Sequence, residues 1–164
     1  MESHEVTAAP FPLTLTVKGK EEEFLAVQFS DRDYDELDLW VQAQVISITR
    51  NSLRAAQEEA EEADVSVDFI YEEEMQIASK AALGVSIYEP SGTQILNTPK
   101  GTARMFWMMV RKNHPKLKYV DCVSYFRLIE NQYEVRRVFA TLNPNHAKAS
   151  EGGTDEPGVA VKNE

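Results

Sequence analysis

The stretch that decides the fold is Thr98–Pro115, TPKGTARMFWMMVRKNHP. Six consecutive apolar residues, Met105, Phe106, Trp107, Met108, Met109 and Val110, lie inside a helix with both ends marked. Thr98 offers a side-chain oxygen to the first backbone N–H groups, and Pro99 suits the first helical position. Pro115 halts the helix, and Arg111 and Lys112 lie near its negative end. Ala103, Phe106, Trp107 and Val110 recur at i, i+3, i+4, i+7 and form one core-facing stripe. Met105, Met108 and Met109 fall on a second face. Two uses are open for it: thioethers filling gaps in the same core, or a surface that accepts more than one hydrophobic partner. The base rate for apolar helical stripes favours the core.

Upstream, Leu13, Leu15 and Val17 alternate with threonines, and Phe24, Ala26, Val27 and Phe29 follow the polar run KGKEEE. This is the pattern of an antiparallel hairpin with Gly19 in its turn. Ser30 then caps a long helix opened by Asp31, Asp33, Asp35 and Glu36, acids that suit a helix N-terminus. Tyr34, Leu37, Val41, Val45 and Ile48 form its stripe, with Trp40 beside them. The pattern fades after Leu53 into AAQEEAEEAD, where acids meet the unfavourable end of the dipole, so fraying or a connection is expected. A second helix is expected from near Ser66, with Phe69, Ile70, Ile77 and Ala81 inward, Glu72–Glu74 outward and Gly84 as its stop. Residues 85–97, with Pro90, Ser91 and Gly92, read as a loop with short extended pieces.

Downstream of the methionine-rich helix, one helix is expected near 117–129, and another carries Val135, Val138, Phe139 and Leu142. From Pro144 the chain has almost no bulky apolar residue and reads as a disordered tail. The expected architecture is mainly α, a single domain over 13–143 of about five helices with an N-terminal β-hairpin.

The chain has 164 residues, 43 % of them hydrophobic, enough for a core without metals or disulfides. Its one cysteine, Cys122, sits in an apolar helical pattern and reads as a buried, inert thiol. No leader pattern and no membrane-spanning run is present, so a soluble, intracellular protein is expected. Charge is lopsided: residues 1–75 hold 19 acids against 5 bases, and residues 100–137 hold 9 bases against 3 acids. A pI near 4.8 makes nucleic acid an unlikely partner for the whole chain. Pairing between the two halves, or head-to-tail self-association, is the commoner use of such asymmetry.

His4, His114 and His146 are far apart, and His114 reads as a helix-terminating residue. The acidic runs Glu21–Glu23, Glu58–Glu62 and Glu72–Glu74 read as solvated faces, without histidines at metal-ligand spacing. There is no phosphate loop, nucleotide fingerprint or CxxC. No catalytic, cofactor-binding or metal-binding residue is indicated, and a non-enzymatic role is expected.

The order LTLTVKGKEEEFLAVQFSDRDYDELDLWVQ, ARMFWMMVRKNHPKL, VDCVSYFRLI and EVRRVFATL, covering roughly residues 13–143, resembles the tail assembly chaperones of long-tailed bacteriophages. The resemblance implies a host-cytoplasmic protein, absent from the mature virion, that keeps the long helical tape-measure protein soluble while the tail tube polymerises. On that reading Met105, Phe106, Trp107, Met108 and Met109 are the candidate contacts to the client. Two other readings stand beside it: a virion component such as a tail-completion or adaptor protein, and an acidic inhibitor of a host nucleic-acid-binding protein. Some such chaperones also have a longer form made by a ribosomal slip. Val161-Lys162-Asn163 can be encoded by a slippery heptamer, although an ordinary ragged terminus is the simpler reading.

Overall fold

The computed structural model describes residues 9–63 and 68–145. Its elements run β1 (Phe11–Val17), β2 (Lys20–Ala26), α1 (Asp31–Glu62), α2 (Asp68–Ala82), α3 (Pro90–Leu96), α4 (Pro99–Val110), α5 (Tyr119–Cys122), a 3-10 turn (Val123–Arg127) and α6 (Ile129–Leu142). The chain is mainly helical, with six α-helices and one antiparallel hairpin among the described residues. The expected tail beyond Asn145 lies outside them.

Helix α4 is the centre. Its buried residues Gly101, Thr102, Ala103, Met105, Phe106, Met108, Met109 and Val110 take up most of the helix circumference, leaving Lys100, Arg104 and Trp107 on the more exposed side, and α4 packs against β2, α1, α3, α5, α6 and the 3-10 turn. Thr98 caps it as expected, its Oγ1 accepting from the Gly101 N–H at 3.1 Å. Phe106 anchors an aromatic cluster, edge-on to Phe24 at 5.0 Å and tilted against Phe126 at 5.5 Å. Phe29 and Phe139 make a second contact of this kind at 5.1 Å.

In the hairpin, Lys18 and Gly19 take φ of 51° and 78°, the two-residue turn whose twist suits the flanking strands. Pairs such as Leu13 with Phe24 and Phe11 with Ala26 set the register that turns Leu13, Leu15, Val17, Phe24 and Ala26 into the core. Two strands alone are marginal in water, and here side chains hold both outer edges. Asn131 of α6 accepts from the Thr16 N–H at 2.9 Å and donates to the Thr16 carbonyl at 2.8 Å. On the other edge the Leu25 N–H donates to His114 Nε2 at 3.0 Å, and Asn113 donates to the Leu25 carbonyl at 3.1 Å. His114 therefore does two things: its N–H donates to the Val110 carbonyl at 2.9 Å and closes the end of α4, and its ring clamps the edge of the hairpin. Accepting through Nε2 places its ring hydrogen on Nδ1.

Other expectations change. Residues 85–97 are not an extended loop, because Pro90 occupies the first turn of α3, where its missing N–H costs nothing. That segment fills the core with Ile87 and Leu96, and Asp38 anchors it to α1 by accepting from the Ile87 N–H at 2.7 Å. Glycine is required at its two closest approaches. A Cβ at Gly92 would overlap the Ser86 carbonyl, and one at Gly101 would overlap the Ile95 carbonyl.

Helix α1 continues past Leu53 with α2 returning along it, and ends at Glu62, so the end expected in AAQEEAEEAD comes only at the close of that stretch, with Ala63 as the C-cap. Gln42 tethers the pair by donating to the Val85 carbonyl at 3.1 Å. On α2 the side chains turned inward are Met75, Ala78, Ser79 and Ala82, whereas Ile77 and Ala81 are exposed; the side chains of Phe69 and Ile70 are outside the description. The helix expected over 117–129 is broken at Phe126. The carbonyls freed there are taken by the next helix, Asn131 donating to Tyr125 O and Gln132 to Phe126 O, each at 2.7 Å.

Candidate partner-binding surface

The five residues expected to touch a partner do not form a surface. Met105, Met108 and Met109 are 4 %, 1 % and 0 % exposed, and Phe106 is fully buried. The second face of α4 is core, so these four side chains are not available for docking on the folded chain. Trp107 is half-buried, its indole N–H donating to the Leu117 carbonyl at 3.0 Å.

Trp107 instead helps hold α1 to α4. The Arg104 guanidinium carbon lies 4.9 Å from the Trp107 ring centre, 5.4 Å from Tyr119 and 6.0 Å from Trp40. Arg111 stacks on Trp107 at 4.9 Å and reaches Glu36 and Asp33, each at 2.8 Å. Arg104 adds a 2.9 Å pair to Glu36. The two oppositely charged halves therefore meet within the chain, at the first turns of α1.

Burial pushes the Asp33 carboxyl up, but hydrogen bonds from the Ser30 hydroxyl and N–H and from Arg111, with the Lys112 charge, outweigh it and leave the value lowered. The Arg111 hydrogen bond lowers Glu36 against opposing burial, and the charges of Arg111 and Arg104 add to it. Folding thus favours both ionised forms. Their stabilisation is complete above the ordinary carboxyl values of 3.8 and 4.5, and is lost as pH falls through the lower folded values. Urea titrations at stepped pH are expected to show this loss below about pH 4.5. Arg111→Gln should cost about 1–2 kcal/mol at neutral pH, since the network is partly solvent-screened, and should flatten the acid limb. An unchanged acid limb in that variant would show that other carboxylates govern it.

Burial pushes the Cys122 thiol up to about 12, so it is inert at neutral pH. Among the described residues no group of three or more His, Cys, Asp and Glu is placed to hold a metal ion. No helix there is long and apolar enough to cross a membrane. His4 and His146 are outside the description.

The helical pair α1–α2 presents an exposed apolar stripe next to a groove. Of the 32 residues in α1, only Asp33, Leu37 and Val41 are buried, all in its first third. The stripe begun by Leu37 and Val41 continues to Val45 and then to Ile48, which is 57 % exposed. Val45, Ile48 and Thr49 form one wall of an open apolar groove, and Ser91, Gln94, Ile95 and Thr98 form the other. Farther out are the exposed Glu58, Glu59, Glu61 and Glu62 of α1 and Glu72, Glu73 and Glu74 of α2. The sequence signal for this surface was the stripe's overrun past Val45 into an acidic segment.

Comparison with models of protein families, with curated proteins and with solved structures finds no match in any of the three.

Proposed function

We propose that this chain is a non-enzymatic tail assembly chaperone of a long-tailed bacteriophage. It binds hydrophobic helical segments of the tape-measure protein and keeps that protein soluble in the host cytoplasm, without entering the finished virion. The client comes from the resemblance of residues 13–143 to such chaperones. The observation that supports a binding role is the sparse burial of α1, whose outer two thirds, paired with α2, extend an apolar stripe beyond the core. A helix of 32 residues is about 48 Å long, far more than is needed to cover one face of α4. On this reading the client contacts the helical pair and not the methionines of α4, which are buried.

Co-expression with the tape-measure protein encoded in the same genome tests the reading. The client is expected in the soluble fraction, co-purifying with this chain, while mass spectrometry of purified particles detects no copy of the chain. A client equally insoluble with and without it contradicts the proposal. A fixed number of copies in each particle would make the chain a virion component.

A further inference from the structure

We propose that the groove between α1 and α3, continued along the outer face of α1 toward its acidic end, docks a basic amphipathic helix. This inference rests on the protein-binding reading above and specifies the chemistry of the partner.

Helical spacing places Ile48, Ser52, Ala55, Glu59 and Glu62 on one face of α1, and all five are exposed. That face begins at the apolar groove, passes two small side chains that allow close approach of another helix, and ends in carboxylates. The acids lie at the negative end of the α1 dipole, and the last turn of the helix holds no basic residue. Among the described residues Glu58, Glu59 and Glu62 enter no salt bridge, whereas Asp33 and Glu36 pair with Arg104, Arg111 and Lys112.

The bases of α4 cannot compensate the far end. Asp33 and Glu59 are separated by about 40 Å along α1 at 1.5 Å per residue. On α1 itself Arg50 and Arg54 lie between the groove and the acids but form no salt bridge with Glu58, Glu59 or Glu62 among the described residues, which leaves these carboxylates open to a partner's cation. A helix with a large apolar side chain in the groove and Lys or Arg two to three turns away matches both features at once. An acidic or wholly apolar helix matches only one of them. Because Ile48 is exposed, its replacement alters the groove without opening the core.

The probes are two labelled helical peptides of about 18 residues with the same apolar face, one with lysines and the other with glutamates on the polar face. Fluorescence anisotropy is expected to show binding of the lysine peptide only, weakening as salt rises from about 50 to about 500 mM. Ile48→Asp should weaken it at least about tenfold with an unchanged circular dichroism spectrum, and Glu59→Lys with Glu62→Lys should transfer preference to the glutamate peptide. Equal binding of both peptides, or full affinity in the Ile48→Asp protein, overturns the inference. Sedimentation of the chain alone supplies a further arm: a dimer that Ile48→Asp dissociates would mean that a second copy occupies the groove, overturning it as well. If Ile48→Asp still keeps the tape-measure protein soluble, the groove is not the site although the chaperone reading survives. If the wild-type chain fails on that client yet binds the lysine peptide with the stated salt dependence, the groove stands and the chaperone reading falls.

Discussion

Replacing Met105, Met108 and Met109 together with glutamine is expected to abolish cooperative folding. Each side chain is at most 4 % exposed and belongs to the single core cluster built around α4. Glutamine is close to methionine in volume, so the cost is that of burying an amide with no partner prepared for it, about 1–3 kcal/mol at each site, and three such losses rival the stability of a domain, about 5–15 kcal/mol. Phe106→Ala, at about 3–5 kcal/mol, should leave a weakened but cooperative transition. A urea titration distinguishes the two. A triple variant that unfolds near the wild-type midpoint would show the methionine face to be dispensable, and would return it to consideration as a binding surface.

The second large effect is expected at Asn131. This buried amide makes three hydrogen bonds, two to Thr16 on the edge of β1 and one to the Tyr125 carbonyl at the break before α6. Asn131→Ala strands one backbone N–H and two carbonyls, and a loss of about 3–4 kcal/mol is expected where an unmade buried bond costs about 1–3. Asn131→Asp should be worse at neutral pH, because a carboxylate cannot donate and would face two carbonyl oxygens. Part of its loss should return at acid pH, once the carboxyl regains a donor hydrogen. Thermal melts of both variants at two pH values test this; an aspartate variant as stable as wild type at neutral pH would show that the two donated bonds contribute little.

Asn131 also marks what sequence reading could reach. Local signals were legible: the Thr98–Pro99 start of α4, Ser30 before an acidic first turn, and alternation through Leu13, Leu15 and Val17. The clamps were not, because Asn131 and Thr16 are 115 residues apart and neither is unusual in its own neighbourhood. Pro90 was misread for a different reason. A proline signals a break in the middle of a helix but a beginning at the first turn, and only the packing of Ile87 and Leu96 decides between them. Of the two uses open for Met105, Met108 and Met109, burial in the core is the one the base rate favours, and their exclusion as partner contacts turns on which side of α4 is left uncovered: Lys100, Arg104 and Trp107 take that side. The candidate surface was half legible, since the stripe from Leu37 to Ile48 was visible, but where the core stopped covering it depended on the position of α3.

We propose that the chain carries a helical client on the outer part of α1–α2, while α4 stays at the centre of its core. Amide hydrogen exchange on the chain alone and on the chain co-purified with the tape-measure protein tests it most directly. Client binding is expected to slow exchange in the outer part of α1, from Val45 to Glu62, and in α2, while α4 is already strongly protected in the free chain and changes little. Fast exchange across α4 in the free chain, with protection appearing there on client binding and none on the outer part of α1, would contradict it.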